Sequence, residues 1–211
     1  MKSNSCFQHE ENIIYFAPNA TTQKTKRNLP HWQQEGTAYF VTFRLFDSIP
    51  KDVAENIRKE REKWLKNNKI SDPAELDKLS LQKRMEYYRL FSKHYDELLD
   101  NGFGSCVLAN PECKKIVEDA LKYFDGEKYV LDKYVVMPNH VHVIVIPKNN
   151  WSLSKITHSW KSYTANRINE ILGKKMRFWM PESFDHIIRS GIQLERIRKY
   201  IEDNPKNSGQ D

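Results

Sequence analysis

Two histidines stand one residue apart in the stretch MPNHVHVIV, residues 137–145. On a β-strand, side chains alternate between faces, so His140 and His142 project from the same face as Ile144 and Ile146. Val141, Val143 and Val145 project from the other. Two imidazoles side by side could give two nitrogens to one divalent ion, or could be hydrogen-bonded residues of an ordinary core strand; the pair alone is compatible with both. A closed structural zinc site does not fit, because neither a CxxC pair nor an HExxH motif accompanies the histidines. An incomplete histidine set with open positions suits Mg²⁺ or Mn²⁺ bound together with phosphate. A site of that kind requires a third ligand and a nucleophile or base presented to the same ion.

The chain that must supply them has 211 residues, 39% hydrophobic and 29% charged, with a net charge of +6. That length holds one domain with a full core, or one domain carrying an insertion. No apolar stretch reaches the roughly 18–20 residues of a membrane span, and the N-terminus lacks the apolar core of a secretory signal, so no membrane partner and a cytoplasmic location are expected. Three cysteines without a CxxC pair read as reduced thiols. Residues 148–207 hold 12 Lys and Arg against 6 Asp and Glu. Because this basic third also contains Trp151, Trp160, Phe178 and Trp179, it suits a polyanion with stackable bases, although solubility alone accounts equally well for the charge.

Residues 1–30 read as a flexible, polar lead-in, 31–207 as a single domain and 208–211 as a tail. A β-rich run at 37–46 is the first strand. Residues 51–100 are dense in charge, with 12 basic and 11 acidic side chains, and read as a helical insertion after that strand. Its near-zero net charge argues against a dominant phosphate-binding role. A helix follows at 110–124, with Asn110 as cap and Pro111 at its first position. Strands at 127–137 and 140–146 meet at Pro138-Asn139 as a hairpin. A helix at 152–172, a strand at 184–190 and a helix at 191–204 complete the chain, the last opened by Ser190 and Gln193 at capping-box spacing. The order β-α-β-β-α-β plus a helix predicts an α+β fold: a ferredoxin-like split βαβ core, an antiparallel sheet with helices on one face, and a further C-terminal helix.

The blocks YVVMPNHVHVIV, FWMPESFDHIIRS and IRKYIEDNPKN, in that order, resemble the REP-associated tyrosine transposases, a group of the HUH single-tyrosine transposases of insertion-sequence type. LPHWQQEGTAYFVTFRL resembles their N-terminal strand region. The resemblance covers roughly residues 29–48 and 105–207. It implies a metal-dependent endonuclease and strand transferase that cuts single-stranded DNA near REP-like hairpins through a 5′-phosphotyrosine intermediate. It also implies that His140 and His142 bind Mg²⁺ or Mn²⁺, that Tyr200 is the nucleophile, and that Asn204 completes the metal site. A monomer is expected rather than a dimer that exchanges the tyrosine helix.

Ten tyrosines compete for the nucleophile's role. Tyr163 is close to the histidines in sequence, but its phase with Ile156, Trp160 and Ile171 makes it a core or boundary residue. Tyr200 and Asn204 are four apart and share a helix face, while Leu194, Ile197 and Ile201 form the face that would dock on the sheet. Taken without the resemblance, Tyr200 would be an amphipathic packing residue. Arg189, Arg196, Lys161, Lys174, Lys175 and Arg177 are candidate DNA contacts, as are Lys155 and Arg167. His186 is either a second base or a surface residue, and Trp179 either a stacking platform or core. A rival to the nuclease reading is a domesticated hairpin-binding protein without turnover.

Overall fold

A computed structural model describes residues 13–17, 23–26, 30–71, 73–148 and 151–207. Its centre is a four-stranded sheet of β3 (Tyr39–Arg44), β4 (Tyr129–Val136), β5 (His140–Pro147) and β6 (Phe184–Ile187). The strand order is β4-β5-β3-β6, and every neighbouring pair is antiparallel. The first and second core strands lie apart with the third between them, which is the split βαβ arrangement.

The alternation seen in the sequence sorts the two faces. Val141, Val143 and Val145 face a large core with Val117 and Leu121 of α4 (Pro111–Lys122) and Ile156, Trp160 and Ile168 of α5 (Leu153–Ile171). As expected, Asn110 caps α4, its side chain accepting from the Glu112 N–H at 2.8 Å. Ile144, Ile146 and Phe40 face the other way, onto Leu194 and Ile201 of α6 (Gly191–Asn207). Helices therefore cover both faces: the two crossover helices one, the C-terminal helix the other.

Several aromatics that could have stacked on bases are structural. Trp160, Phe178 and Trp179 are buried. The Trp160 indole donates to Tyr129 Oη at 2.9 Å, and the Trp179 indole to Thr164 Oγ1 at 2.9 Å. Thr164 takes the core position on α5 one turn after Trp160. Tyr163, expected at the core or its boundary, is instead exposed on α5. Placing Thr164 inward lets one side chain serve both the Trp179 donor and the Trp160 carbonyl, at 2.7 Å.

The charge-dense segment is helical: α1 (Lys51–Asn67), a 3-10 turn (Pro73–Lys78), α2 (Leu81–Tyr87), a π-helical stretch (Tyr88–Lys93) and α3 (His94–Asp100). It has its own small core of Leu65, Ile70, Leu76 and Tyr87. The expected lead-in falls largely outside the described residues, which include two of its parts. Gln23–Lys26 (β1) pairs with Pro30–Gln33 (β2), and Ile13 and Tyr15 pack on the α6-side core. Cys106 and Cys113 are free thiols; Cys6 lies outside the described residues.

Candidate active site

α6 is tied to the sheet by two ion pairs that both begin at a β-bulge. Between the pairs Leu131↔Val145 and Tyr134↔Val143, β4 carries one residue more than β5. The extra residue lets Asp132 and Lys133 both turn toward α6, although a regular strand would send them to opposite faces. Arg198 grips Asp132 through Nε and Nη2 at 2.5–3.1 Å, and Lys133 meets Glu202 at 2.5 Å. At its start, Ser190 Oγ accepts from the Gln193 N–H at 3.2 Å, while Gln193 Oε1 accepts from the Arg189 N–H at 2.8 Å. The capping box therefore forms, reaching back one residue further than its usual form.

So placed, α6 lowers Tyr200 and Asn204 onto the histidine face. His140 and His142 are both fully buried, with their Nε2 atoms 3.1 Å apart. Tyr200 Oη is 3.2 Å from His142 Nε2. Phe40 stacks on His142, with ring centroids 5.3 Å apart, and meets Tyr200 edge-on at 6.1 Å. These contacts fix the three rings as a unit.

The outward ring nitrogen sets the tautomer of His140. Asn139 Nδ2 donates to the carbonyls of Leu99 and Phe103, both at 3.1 Å, which turns its Oδ1 toward His140. His140 Nδ1 must then carry the proton in its 2.7 Å bond to that oxygen, leaving Nε2 a bare lone pair. His142 Nδ1 meets Thr42 Oγ1 at 2.7 Å, and its Nε2 can accept from Tyr200. Burial pushes the His140 pKa down to about 3; burial, then the neighbouring His140, pushes His142 well below the ordinary range. Both imidazoles are thus neutral near pH 7, with their two Nε2 atoms converging. Two ligands at about 2.1 Å from one ion and at right angles to each other are about 3 Å apart, so this pair fits a single divalent ion.

Asn204 is 1% exposed, and neither its Oδ1 nor its Nδ2 has a hydrogen-bond partner. An unsatisfied buried amide costs about 1–3 kcal/mol, so its presence here fits a ligand oxygen waiting for a cation. Against it lies Asp100, the last residue of α3, whose Oδ1 is also buried without a partner. Burial raises the Asp100 pKa, the Asn204 amide offsetting it only in part, and Glu97 raises it further. Asp100 Oδ1 is 3.8 Å from His140 Nε2. Among the described residues, no three His, Cys, Asp or Glu side chains are drawn together closely enough to hold a metal by themselves. A cavity of about 300 Å³ opens beside the site, walled by Asp100, Gly102, Cys106, Pro138, Asn139 and His140.

The structure distributes the basic candidates unevenly. Arg177 lies with its guanidinium 4.9 Å from the Phe46 ring, close after β3 and at the sheet end where Leu45 N–H meets the Asn139 carbonyl. Lys174, Lys175 and Arg196 are exposed, as are Lys155 and Arg167, the latter bonded to Glu170. Arg189 stacks over Phe16. Lys161 lies on the opposite face of the sheet from the histidines, where it donates to the Pro181 carbonyl and Ser183 Oγ. His186 is a half-buried strand residue bonded to Gln193 at 2.6 Å. Four site neighbours escaped the sequence reading: Thr42, Arg44, Asp100 and Asn139. Register would have found the first two, since β3 pairs Thr42 with His142 and Arg44 with His140. Asp100 carries no sequence signal, being one acid among many in the insertion.

The family described as "Transposase IS200 like" matches residues 107–204. No curated protein matches the chain. A structure of a REP-associated tyrosine transposase bound to a REP hairpin is 15% identical and covers 88% of this chain and 76% of its own, with a TM-score of 0.50. At that identity it attests to the shared fold. A candidate transposase from Deinococcus radiodurans R1 is 12% identical over 86% of this chain and 98% of its own, but its TM-score of 0.31 carries no argument. The matched segment spans both histidines, Tyr200 and Asn204, so this part of the chain is similar to the IS200-like transposases, and the chain has the fold of a REP-associated tyrosine transposase.

Proposed function

We propose that the protein is a metal-dependent nuclease and strand transferase acting on single-stranded DNA beside a hairpin. The observation that carries this reading is the convergence of Tyr200 Oη, His142 Nε2 and His140 Nε2, each step being 3.2 Å or less. Tyr200 is the nucleophile. Its phenol oxygen attacks the scissile phosphorus, a Tyr–O–P bond forms and the P–O3′ bond breaks. The phenol proton is lost, and the leaving O3′ takes one up, giving a 5′-phosphotyrosine and a free 3′-OH. Phenolate is itself a workable leaving group, so a second 3′-OH can reverse the step and join the strands.

His140, His142 and Asn204 are the residues that would hold Mg²⁺ or Mn²⁺. When bound, such an ion supplies positive charge against the charge developing on the phosphate oxygens. Asn139 keeps His140 Nε2 available by occupying the other ring nitrogen, and Thr42 orients the His142 ring through its Nδ1. Tyr200 reaches the histidines of its own chain, which supports action as a monomer. The hairpin substrate is suggested by the REP hairpin bound to the similar transposase, and Arg177, Lys174, Lys175 and Arg196 are exposed cations available for its backbone.

The test incubates the protein with Mg²⁺ or Mn²⁺ and labelled single-stranded DNA carrying a hairpin, then resolves it on a denaturing protein gel. A covalent adduct that is lost in Tyr200→Phe and kept in Tyr163→Phe is expected. Cleavage surviving Tyr200→Phe overturns the nucleophile. Hairpin binding without any adduct in either metal would replace this reading with that of a binding protein.

A further inference from the structure

The helical insertion ends inside the site. Its last helix, α3, is fastened there from several sides. Arg44, directly across from His140 in the sheet, donates from Nε to Tyr95 Oη at 2.5 Å. Asn139 holds the Leu99 and Phe103 carbonyls. Beyond α3, Gly104 lies so close to the Asp47 backbone that an added Cβ would stand 2.5 Å from its oxygen, and Ser105 N–H donates to Asp47 Oδ2 at 2.7 Å. Residue 100 is thus pinned between two anchored neighbours, and it is an aspartate.

That carboxylate is in an unfavourable state. Its Oδ1 is buried with no hydrogen-bond partner at normal distance, the Asn204 amide eases its charge only in part, and the group within ion-pair range is His140, an imidazole kept neutral by burial. A buried, unpaired carboxylate oxygen is costly unless a cation reaches it. Other unsatisfied or converging atoms lie near it: the two histidine Nε2 atoms, 3.1 Å apart, and the Asn204 amide beside Asp100. Two imidazoles and an amide carry no charge, whereas Mg²⁺ and Mn²⁺ are hard cations that favour anionic oxygen.

We propose that Asp100 is an oxygen ligand of the same divalent-ion site, contributed by the insertion to His140, His142 and Asn204. This rests on the metal-binding reading of the histidines. The 3.8 Å separation from His140 Nε2 exceeds the roughly 3 Å between adjacent ligands on one small ion, and a turn about the Asp100 side-chain bonds closes that difference. The insertion is then part of the active site rather than a cover over it, and its docking sets metal affinity.

The proposal is tested on the full chain without DNA, with Mn²⁺ alone as the probe, by electron paramagnetic resonance and calorimetric titration. Asp100→Asn is expected to weaken Mn²⁺ binding about ten-fold or more, the scale on which metal-site partners act. Glu97→Gln, one turn earlier on α3, is expected to change it less than about two-fold, which separates ligation from general charge. Melting is read on the metal-free proteins as well. Removing a partly buried charge with one unsatisfied oxygen leaves the melting temperature unchanged or raises it, and added Mn²⁺ then stabilises Asp100→Asn less than the parent. Equal Mn²⁺ affinity in Asp100→Asn and the parent overturns the role of Asp100 and leaves the histidine site standing. A fall in metal-free melting temperature that accounts for the lost binding assigns Asp100 a structural role and overturns the proposal. No Mn²⁺ binding by the parent overturns both readings.

Discussion

Tyr200 Oη lies 3.2 Å from His142 Nε2, although 57 residues separate the two in the chain. The contact is made by a helix that crosses the sheet face opposite the crossover helices. Tyr200→Phe keeps the ring that meets Phe40 and His142 and removes only the hydroxyl. Its fold stability is expected to change by no more than about 1 kcal/mol in urea denaturation, while the DNA adduct disappears. A loss of several kcal/mol would mean that the hydroxyl is mainly structural.

Asn139 joins the insertion to the histidines, because one amide serves the Leu99 and Phe103 carbonyls and the His140 ring. Asn139→Ala leaves buried polar groups unpaired on both sides. A loss of about 2–4 kcal/mol of stability is expected, with Mn²⁺ affinity lowered about 10- to 100-fold through the freed His140 ring. Unchanged affinity at reduced stability would separate the two roles and reject the second.

The Asp132–Arg198 pair is the latch of α6, its side chains only 9% and 16% exposed. Arg198→Ala strands the Asp132 carboxylate and is expected to cost about 2–4 kcal/mol. Amide hydrogen exchange should then accelerate along α6 before the sheet, since the loss is local to that helix. Acceleration spread evenly over the molecule would show that α6 is not a separable unit.

His186 gives the fold a dependence on acid. Burial first, then the Arg189 charge, depresses its pKa to about 4, and the Gln193 amide donates to the lone pair a proton would occupy. The unfolded chain takes up that proton near pH 6.5 and the folded chain does not. This contribution to stability is therefore full above pH 6.5, falls as the pH drops toward 4, and levels off below. The difference should be about 1–3 kcal/mol. Stability curves of the parent and His186→Gln, measured between pH 7 and 4, should differ in slope by this amount. Parallel curves would show that His186 titrates alike in both states.

What the sequence determined by itself was periodic or local. Alternation in HVHVIVIP put both imidazoles on one face, Asn110 and Pro111 marked the start of α4, and the spacing of Tyr200 and Asn204 put them on one turn. These properties depend on a few neighbouring residues, and geometry of 2.0 or 3.6 residues per repeat suffices to read them. Tertiary structure decided what long-range contact alone can decide. The bulge at Asp132 and Lys133 became a docking site only when α6 lay across it, and Thr164 rather than Tyr163 turned inward only because Trp179 came to meet it. Asp100 belongs to the site because Arg44, Asn139 and Asp47 hold its helix and loop from three separate parts of the chain. No window of sequence contains those three residues together, so a carboxylate that looks like any other in the insertion acquires its place only in the folded protein.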